Sequence, residues 1–178
     1  TRGWFYSLLT TGIILFDKTP YRRVLCQGHV LDKYGQKMSK SKGNVVWAQD
    51  VLNRYGADLI RAYLLWKAAP EDLLAFDKEE LEQVRRMLVI LWNIFTFATT
   101  YMSLDGFRPE EWSLERVSKD LKSEDKWLLS RCQSIISTVT ESLDGFKLHK
   151  AIRSLLDFIL EDVSGFYIRL IRRRTWIE

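Results

Sequence analysis

Three apolar stripes at helical spacing in the C-terminal part of this chain do most to restrict what it can fold into. Leu81, Val84, Leu88, Leu91, Phe95 and Met102 recur every few positions, and Leu128, Cys132, Ile135, Val139, Leu143 and Phe146 repeat the pattern. Leu148, Ile152, Leu155, Ile159, Val163, Phe166 and Leu170 make a third stripe. Such spacing gathers side chains on one face of an α-helix. Three amphipathic helices of this length need one another to bury those faces, which predicts an antiparallel bundle over residues 76–178. Asp77 and Glu80 stand where an N-cap and its reciprocal N3 residue belong. Gly106 and Pro109 place a loop between about Ser103 and Ser123.

Residues 1–75 are of a different kind. They hold 11 Lys+Arg against 6 Asp+Glu, so the whole basic excess behind the chain's net charge of +4 lies there. Trp4 to Phe16 carries helical spacing. Val24-Leu25-Cys26 and Val30-Leu31 read as short strands, and Asp32-Lys33-Tyr34-Gly35 as a four-residue hairpin loop with Gly where φ is positive. Val51, Leu52 and Tyr55 mark a helix stopping at Gly56, and Leu59, Ile60, Tyr63 and Leu64 one face of the next. The fold class expected is therefore an α/β remnant over residues 1–75 followed by an all-α bundle, mostly α overall.

Composition excludes several functions. Cys26 and Cys132 stand far apart with no Cys-x-x-Cys, which removes a thiolate zinc cluster and a disulfide scaffold and suits a reducing cytoplasm. With His29 and His149 alone there is no His-x-x-His pair, so no metal site is expected. Unbroken apolar runs fall far short of the ~20 residues a spanning helix needs, so no membrane partner is expected. The chain opens at Thr1, without Met, and reads as an excised piece of something larger.

The stretch richest in chemistry is Gly35-Gln36-Lys37-Met38-Ser39-Lys40-Ser41-Lys42-Gly43-Asn44. Three ammonium groups interleaved with two hydroxyls can wrap a triphosphate: the cations meet the oxygens, while hydroxyls and backbone N–H groups complete the shell. In nucleotidyl transfer most of the catalysis is positioning and charge stabilisation, which lysines on such a loop can supply. Composition alone favours a solvated basic loop or a phosphorylation-prone Ser/Lys tract; the fixed order after a strand and turn shifts the balance to the phosphate reading.

Lys37-Met38-Ser39-Lys40-Ser41 resembles, letter for letter, the KMSKS signature of class I aminoacyl-tRNA synthetases. Gly28-His29-Val30-Leu31-Asp32 and Gly43-Asn44-Val45-Val46 look like its usual flanks. Tyr55-Gly56-Ala57-Asp58, Arg61 and Tyr63-Leu64-Leu65 resemble the helix that follows in the valine, leucine and isoleucine subgroup. Thr1-Arg2-Gly3-Trp4-Phe5-Tyr6-Ser7-Leu8-Leu9 is similar to the Arg-Gly-Trp-Phe segment of the isoleucine branch.

The resemblance implies a two-step ligase using ATP with Mg²⁺, isoleucine and tRNA(Ile), with a valine or leucine relative as the alternative. It implies that Lys37 and Lys40 stabilise the triphosphate, Lys40 foremost, and that Met38, Ser39 and Ser41 belong to the ATP site. Gly28 and Val30 would approach the adenine through backbone groups, and Trp4 would wall the amino-acid pocket. Such a pocket separates side chains differing by one methylene by only ~1–3 kcal/mol, so the family carries a separate editing domain.

The family's other signature, His-Ile-Gly-His, is absent, and Gln27-Gly28-His29 stands where many relatives have His-Gly-Phe. The segment alone is therefore expected not to activate isoleucine, its partners including the remaining part of the synthetase. A non-catalytic tRNA-binding module is the reading from another class. In the bundle the resemblance implies tRNA contacts from Lys147, Lys150, Arg153, Arg169, Arg172, Arg173 and Arg174, although Arg172 to Arg174 equally suit the C-terminal end of a helix dipole. Trp92, Trp112, Trp127 and Trp176 are candidates for base stacking, with Trp92 expected to be buried. His149 reads as a surface residue or cap.

Overall fold

The computed structural model describes residues 3–175; Thr1, Arg2 and the stacking candidate Trp176 lie outside the described residues. Helix α1 spans Trp4–Phe16. The chain then turns back along it: Pro20 closes on Gly12, where a Cβ would collide with its ring. Tyr21 packs edge-on against Phe5, its hydroxyl donating to the Phe5 carbonyl at 3.3 Å.

Strand β1 (Val30–Leu31) pairs in parallel with β2 (Leu74–Ala75), in the register Val30↔Leu74 and Leu31↔Ala75. Two helices lie between them, α2 (Ala48–Tyr55) and α3 (Ala57–Lys67), so the unit is a small β–α–β crossover. The expected turn at Asp32–Gly35 is present, but Val24-Leu25-Cys26 is not a strand, and Val30-Leu31 takes its strand partner from beyond α3. Gly35 at φ 75 donates to Asp32, Asp32 N–H donates to the Gln36 carbonyl, and one antiparallel bridge joins Leu31 to Lys37. Gly56 at φ 79 ends α2 through a bond to the Leu52 carbonyl and opens α3, as its position in the sequence suggests.

Helix α4 (Lys78–Leu104) begins at Asp77, whose carboxylate accepts the Glu79 N–H at 2.8 Å. Glu80 does not complete a capping box; it turns to α3, where it ion-pairs with Lys67 and meets the Tyr63 hydroxyl at 3.4 Å. The core consists of Val51, Leu59, Tyr63, Leu74, Phe76, Leu81 and Val84, with Met38, Val46, Ile60 and Leu88 packed around it. One core thus crosses the compositional change near residue 75.

Only the start of the first stripe enters that core. Leu91 and Phe95 are 42% and 55% exposed, and Trp92, expected to be buried, is 66% exposed. The absence of long apolar runs also understated α4. By length and composition it could cross a membrane, since uncharged Asn and Thr rather than charges interrupt its apolar residues. Here its N-terminal part is instead fixed in the core by Leu81 and Val84.

A 3-10 turn (Pro109–Glu111) and the short helix α5 (Leu114–Val117) lead to α6 (Ser123–Asp144). Three residues connect α6 to α7 (Leu148–Asp157), Phe146 taking the left-handed conformation at φ 57. The third stripe is not uniform α-helix: α7 continues as a π-helical stretch (Phe158–Tyr167), then α8 (Ile168–Ile171) and a 3-10 turn (Arg172–Arg174). Polar rungs set the antiparallel pairing with α6. Arg131 grips Asp162 with two N–H groups at 2.9 and 2.7 Å, and Tyr167 donates to Asp125 at 2.8 Å. His149 is half-buried, with Nδ1 enclosed and without a partner among the described residues, which corrects its expected place on the surface.

Candidate functional site

The Lys/Ser-rich loop leaves the Asp32–Gly35 turn and returns at Asn44. Its middle is pinned from below: the Met38 side chain packs on the core and its sulfur receives the Val46 N–H at 3.5 Å. Ser39 caps a short 3-10 turn (Lys40–Lys42), accepting the Lys42 N–H at 3.3 Å and lying 3.1 Å from the Ser41 hydroxyl. Gly43 at φ 69 closes it. Lys37, Lys40 and Lys42 are left exposed on this loop. The Lys40 ammonium rests 5.2 Å from the centre of the Trp47 ring, a weak cation–π contact at an exposed site.

Two side chains beneath the loop hold its shape. One Asp32 oxygen accepts the N–H groups of Tyr34 (3.0 Å) and Gln36 (2.8 Å), the other the Asn44 amide (2.9 Å). Asn44 in turn accepts the Ser39 N–H at 2.9 Å and reaches the Lys37 carbonyl at 3.3 Å. The Asn44 hydrogen bond, followed by the Gln36 N–H, holds the Asp32 carboxyl below its ordinary range. Asp32, Asn44 and Trp47 were not legible as site residues. The Asp-x-x-Gly turn and the Gly-Asn closing the loop are the signals that mark the first two.

The other candidates are dispersed. Gly28 donates to the Pro70 carbonyl at 2.7 Å and lies so close to Asp72 that any Cβ would overlap its carbonyl. With Val30 it lines a cleft of about 130 Å³ walled by Leu64, Leu65, Ala68, Pro70 and Leu148. Trp4, 60% exposed, stacks on Phe5 within α1. In the bundle, Lys147, Lys150, Arg169, Arg172 and Arg173 are exposed. Arg153 is bound to the Trp66 and Lys67 carbonyls, and Arg174 to Glu124 and Asp125. Trp112 stacks on Phe107, and Trp127 lies edge-on to Phe166.

Residues 1–76 match the family model for class I tRNA synthetases (I, L, M and V), and residues 125–178 that for the anticodon-binding domain of tRNA ligases. The fold agrees. A crystal structure of a ternary complex of Agrobacterium radiobacter K84 agnB2 LeuRS, tRNA and LeuAMS superposes with a TM-score of 0.67. That likeness covers 98% of this chain and 25% of that one, at 19% identity. The chain is therefore similar to the class I aminoacyl-tRNA synthetases in its first part and to the anticodon-binding domain of tRNA ligases in its last.

Within that class its whole length is similar to isoleucine–tRNA ligases. It is 54% identical to that of Methanothermobacter marburgensis, 52% to that of Methanosarcina barkeri and 51% to that of Pyrobaculum aerophilum. The chain spans 17% of the length of the first two and 18% of the third.

Proposed function

We propose that this chain is the segment of an isoleucine–tRNA ligase that carries the KMSKS loop and the start of the anticodon-binding bundle. The observation that carries this reading is similarity to isoleucine–tRNA ligases along this chain's own length, together with a braced loop that leaves three lysines exposed. In the first step the isoleucine carboxylate attacks the α-phosphorus of ATP. The bond to the bridging oxygen breaks, giving the adenylate and pyrophosphate. In the second, the terminal ribose of tRNA(Ile) attacks the acyl carbon and AMP leaves.

Lys40 and Lys37 meet the charge that builds on the phosphates, and the Ser39 and Ser41 hydroxyls and the Met38 backbone complete the cradle. The loop offers cations rather than carboxylates, so Mg²⁺ arrives as part of the ATP substrate, held by the phosphates. Gly28 and Val30 lie beside the adenine, and Trp4 walls the isoleucine pocket. Lys147, Lys150, Arg169, Arg172 and Arg173 contact tRNA phosphates. Arg153 and Arg174 act chiefly through their protein partners. The reaction takes place in the cytoplasm and needs the rest of the synthetase, since this segment has no His-Ile-Gly-His signature.

The test is isoleucine-dependent pyrophosphate exchange by the longer protein that contains this segment. Lys40→Ala should lower the rate roughly 100-fold or more, the scale on which loss of one preorganised charge-stabilising donor is felt. Exchange by the 178-residue chain alone, above a Lys40→Ala control, would overturn the assignment of catalysis to the larger protein. Salt-dependent binding of tRNA(Ile), weaker for a transcript with an altered anticodon, tests the bundle, its slope counting phosphate contacts.

A further inference from the structure

We infer that Asp32 and Asn44 form a polar latch that sets the geometry of the Lys37–Ser41 loop, making Asn44 a positioning residue for Lys37 and Lys40. The inference rests on the nucleotide-binding reading of the loop and adds to it the residues that hold the lysines in place.

The geometry is specific. A single amide, Asn44, is joined to the base of the turn through Asp32, to the Lys37 backbone through its carbonyl, and to the Ser39 backbone through its N–H. The first and third bonds are 2.9 Å and the second 3.3 Å. Asp32 in turn fixes the backbone N–H groups of Tyr34 and Gln36. The latch thus ties the turn to both ends of the Lys37–Ser39 segment. Asp32 is 9% exposed and ionised, so its hydrogen bond to the Asn44 amide is of the stronger, charge-assisted kind.

Position 44 needs both a donor and an acceptor. Asn supplies the two from one planar group, while Asp lacks the donor and Ala both. Met38 anchors the loop from the apolar side, through the core and Val46. The latch and the methionine hold the backbone at separate points and leave the lysine stems to move. The loop can therefore present its ammonium groups without first being ordered by the nucleotide, which removes an entropic cost from binding.

Two measurements test the latch. The first is tryptic cleavage after Lys37, Lys40 and Lys42, mapped by mass spectrometry in the 178-residue chain, with cleavage after bundle arginines as the internal reference. Asn44→Asp and Asn44→Ala should each accelerate loop cleavage about tenfold relative to the bundle, the factor equivalent to one lost charge-assisted bond. The reciprocal variant Asp32→Asn/Asn44→Asp should restore part of the protection, since it rebuilds the bond between positions 32 and 44 while the Lys37 carbonyl still lacks its donor. The amide then placed at position 32 donates to the carboxylate at position 44, and its oxygen still accepts from Tyr34 and Gln36.

The second is pyrophosphate exchange by the longer protein. Asn44→Asp should lower kcat about tenfold with KM for isoleucine unchanged, and the reciprocal pair should recover part of it. The latch is overturned if Asn44→Ala leaves loop cleavage unchanged, if cleavage rises equally in loop and bundle, or if the reciprocal pair is no better than Asn44→Asp. Absence of isoleucine-dependent exchange in the unsubstituted protein would count against the proposed function instead, with the cleavage result still deciding the latch.

Discussion

The Arg153 guanidinium closes the C-terminal end of α3, donating from Nε to the Trp66 carbonyl at 2.8 Å and from Nη2 to the Lys67 carbonyl at 3.0 Å. These are end-of-helix carbonyls without an intrahelical partner, and a bundle helix supplies the missing donors. The reciprocal contact exists too. Arg23, from the segment after α1, donates to the Asp144 carbonyl at the end of α6 at 3.0 Å. Each part of the molecule caps a helix of the other.

Arg153→Ala should therefore lower stability by about 1 kcal/mol, the cost of partly exposed hydrogen bonds to a charged group, read from the urea midpoint. Arg153→Lys should recover less than half, since an ammonium lacks the guanidinium's planar fork. The slope of log affinity for tRNA against log salt should stay unchanged, whereas Lys150→Ala should reduce its magnitude by nearly one.

Gly28 admits no side chain. A Cβ would overlap the Asp72 carbonyl where residues 70–72 pass close to the start of β1. Gly28→Ala should separate β1 from β2 and cost about 3 kcal/mol or more, visible as a lower thermal midpoint by circular dichroism. Gly3→Ala, where nothing approaches within 4 Å, is the control and should change little.

The two ends of the α4 stripe should respond differently. Leu81 is fully buried in the core, so Leu81→Ala should cost about 2–5 kcal/mol through lost burial and the cavity left behind. Leu91, 42% exposed, should cost under about 1 kcal/mol on the same change. Denaturant unfolding of both variants checks the pair. Periodicity identified both residues as stripe members, but it ranks neither, since burial depends on what arrives from elsewhere in the chain.

Two tyrosines set the alkaline limit. Burial pushes the hydroxyls of Tyr63 and Tyr167 up to about 12, from an ordinary value of 10.0. Between those values the unfolded chain has released protons that the folded one retains, so stability is fully present below about pH 10 and falls as pH rises toward 12. Tyr167→Phe should flatten that decline in urea midpoints measured from about pH 9 to 12. On the acid side, burial opposes charge on Asp125, yet Arg174, the Lys122 N–H and Tyr167 outweigh it and hold its carboxyl low. The stability this provides is present above the ordinary carboxylate range and lost as pH falls below it, and Asp125→Asn should remove that dependence.

The sequence by itself determined the main helical stripes, the caps at Asp77 and Gly56, the turn at Gly35 and the Lys/Ser-rich loop that follows it. Those features rest on short-range physics: periodicity, backbone conformations open to glycine, and the density of ammonium and hydroxyl groups over one short loop. Tertiary structure alone decided the rest. Val30-Leu31 pairs with Leu74-Ala75 rather than with its neighbour Val24-Leu25, because a parallel partner arrives only after two helices have crossed. Glu80 leaves its capping role for Lys67, and Arg153 and Arg174 turn to carbonyls and carboxylates within the fold. Asp32 and Asn44, twelve positions apart, become a latch because the loop between them folds back on itself. A polar side chain bonds to whatever group lies within about 3 Å, and only the folded chain determines which group that is.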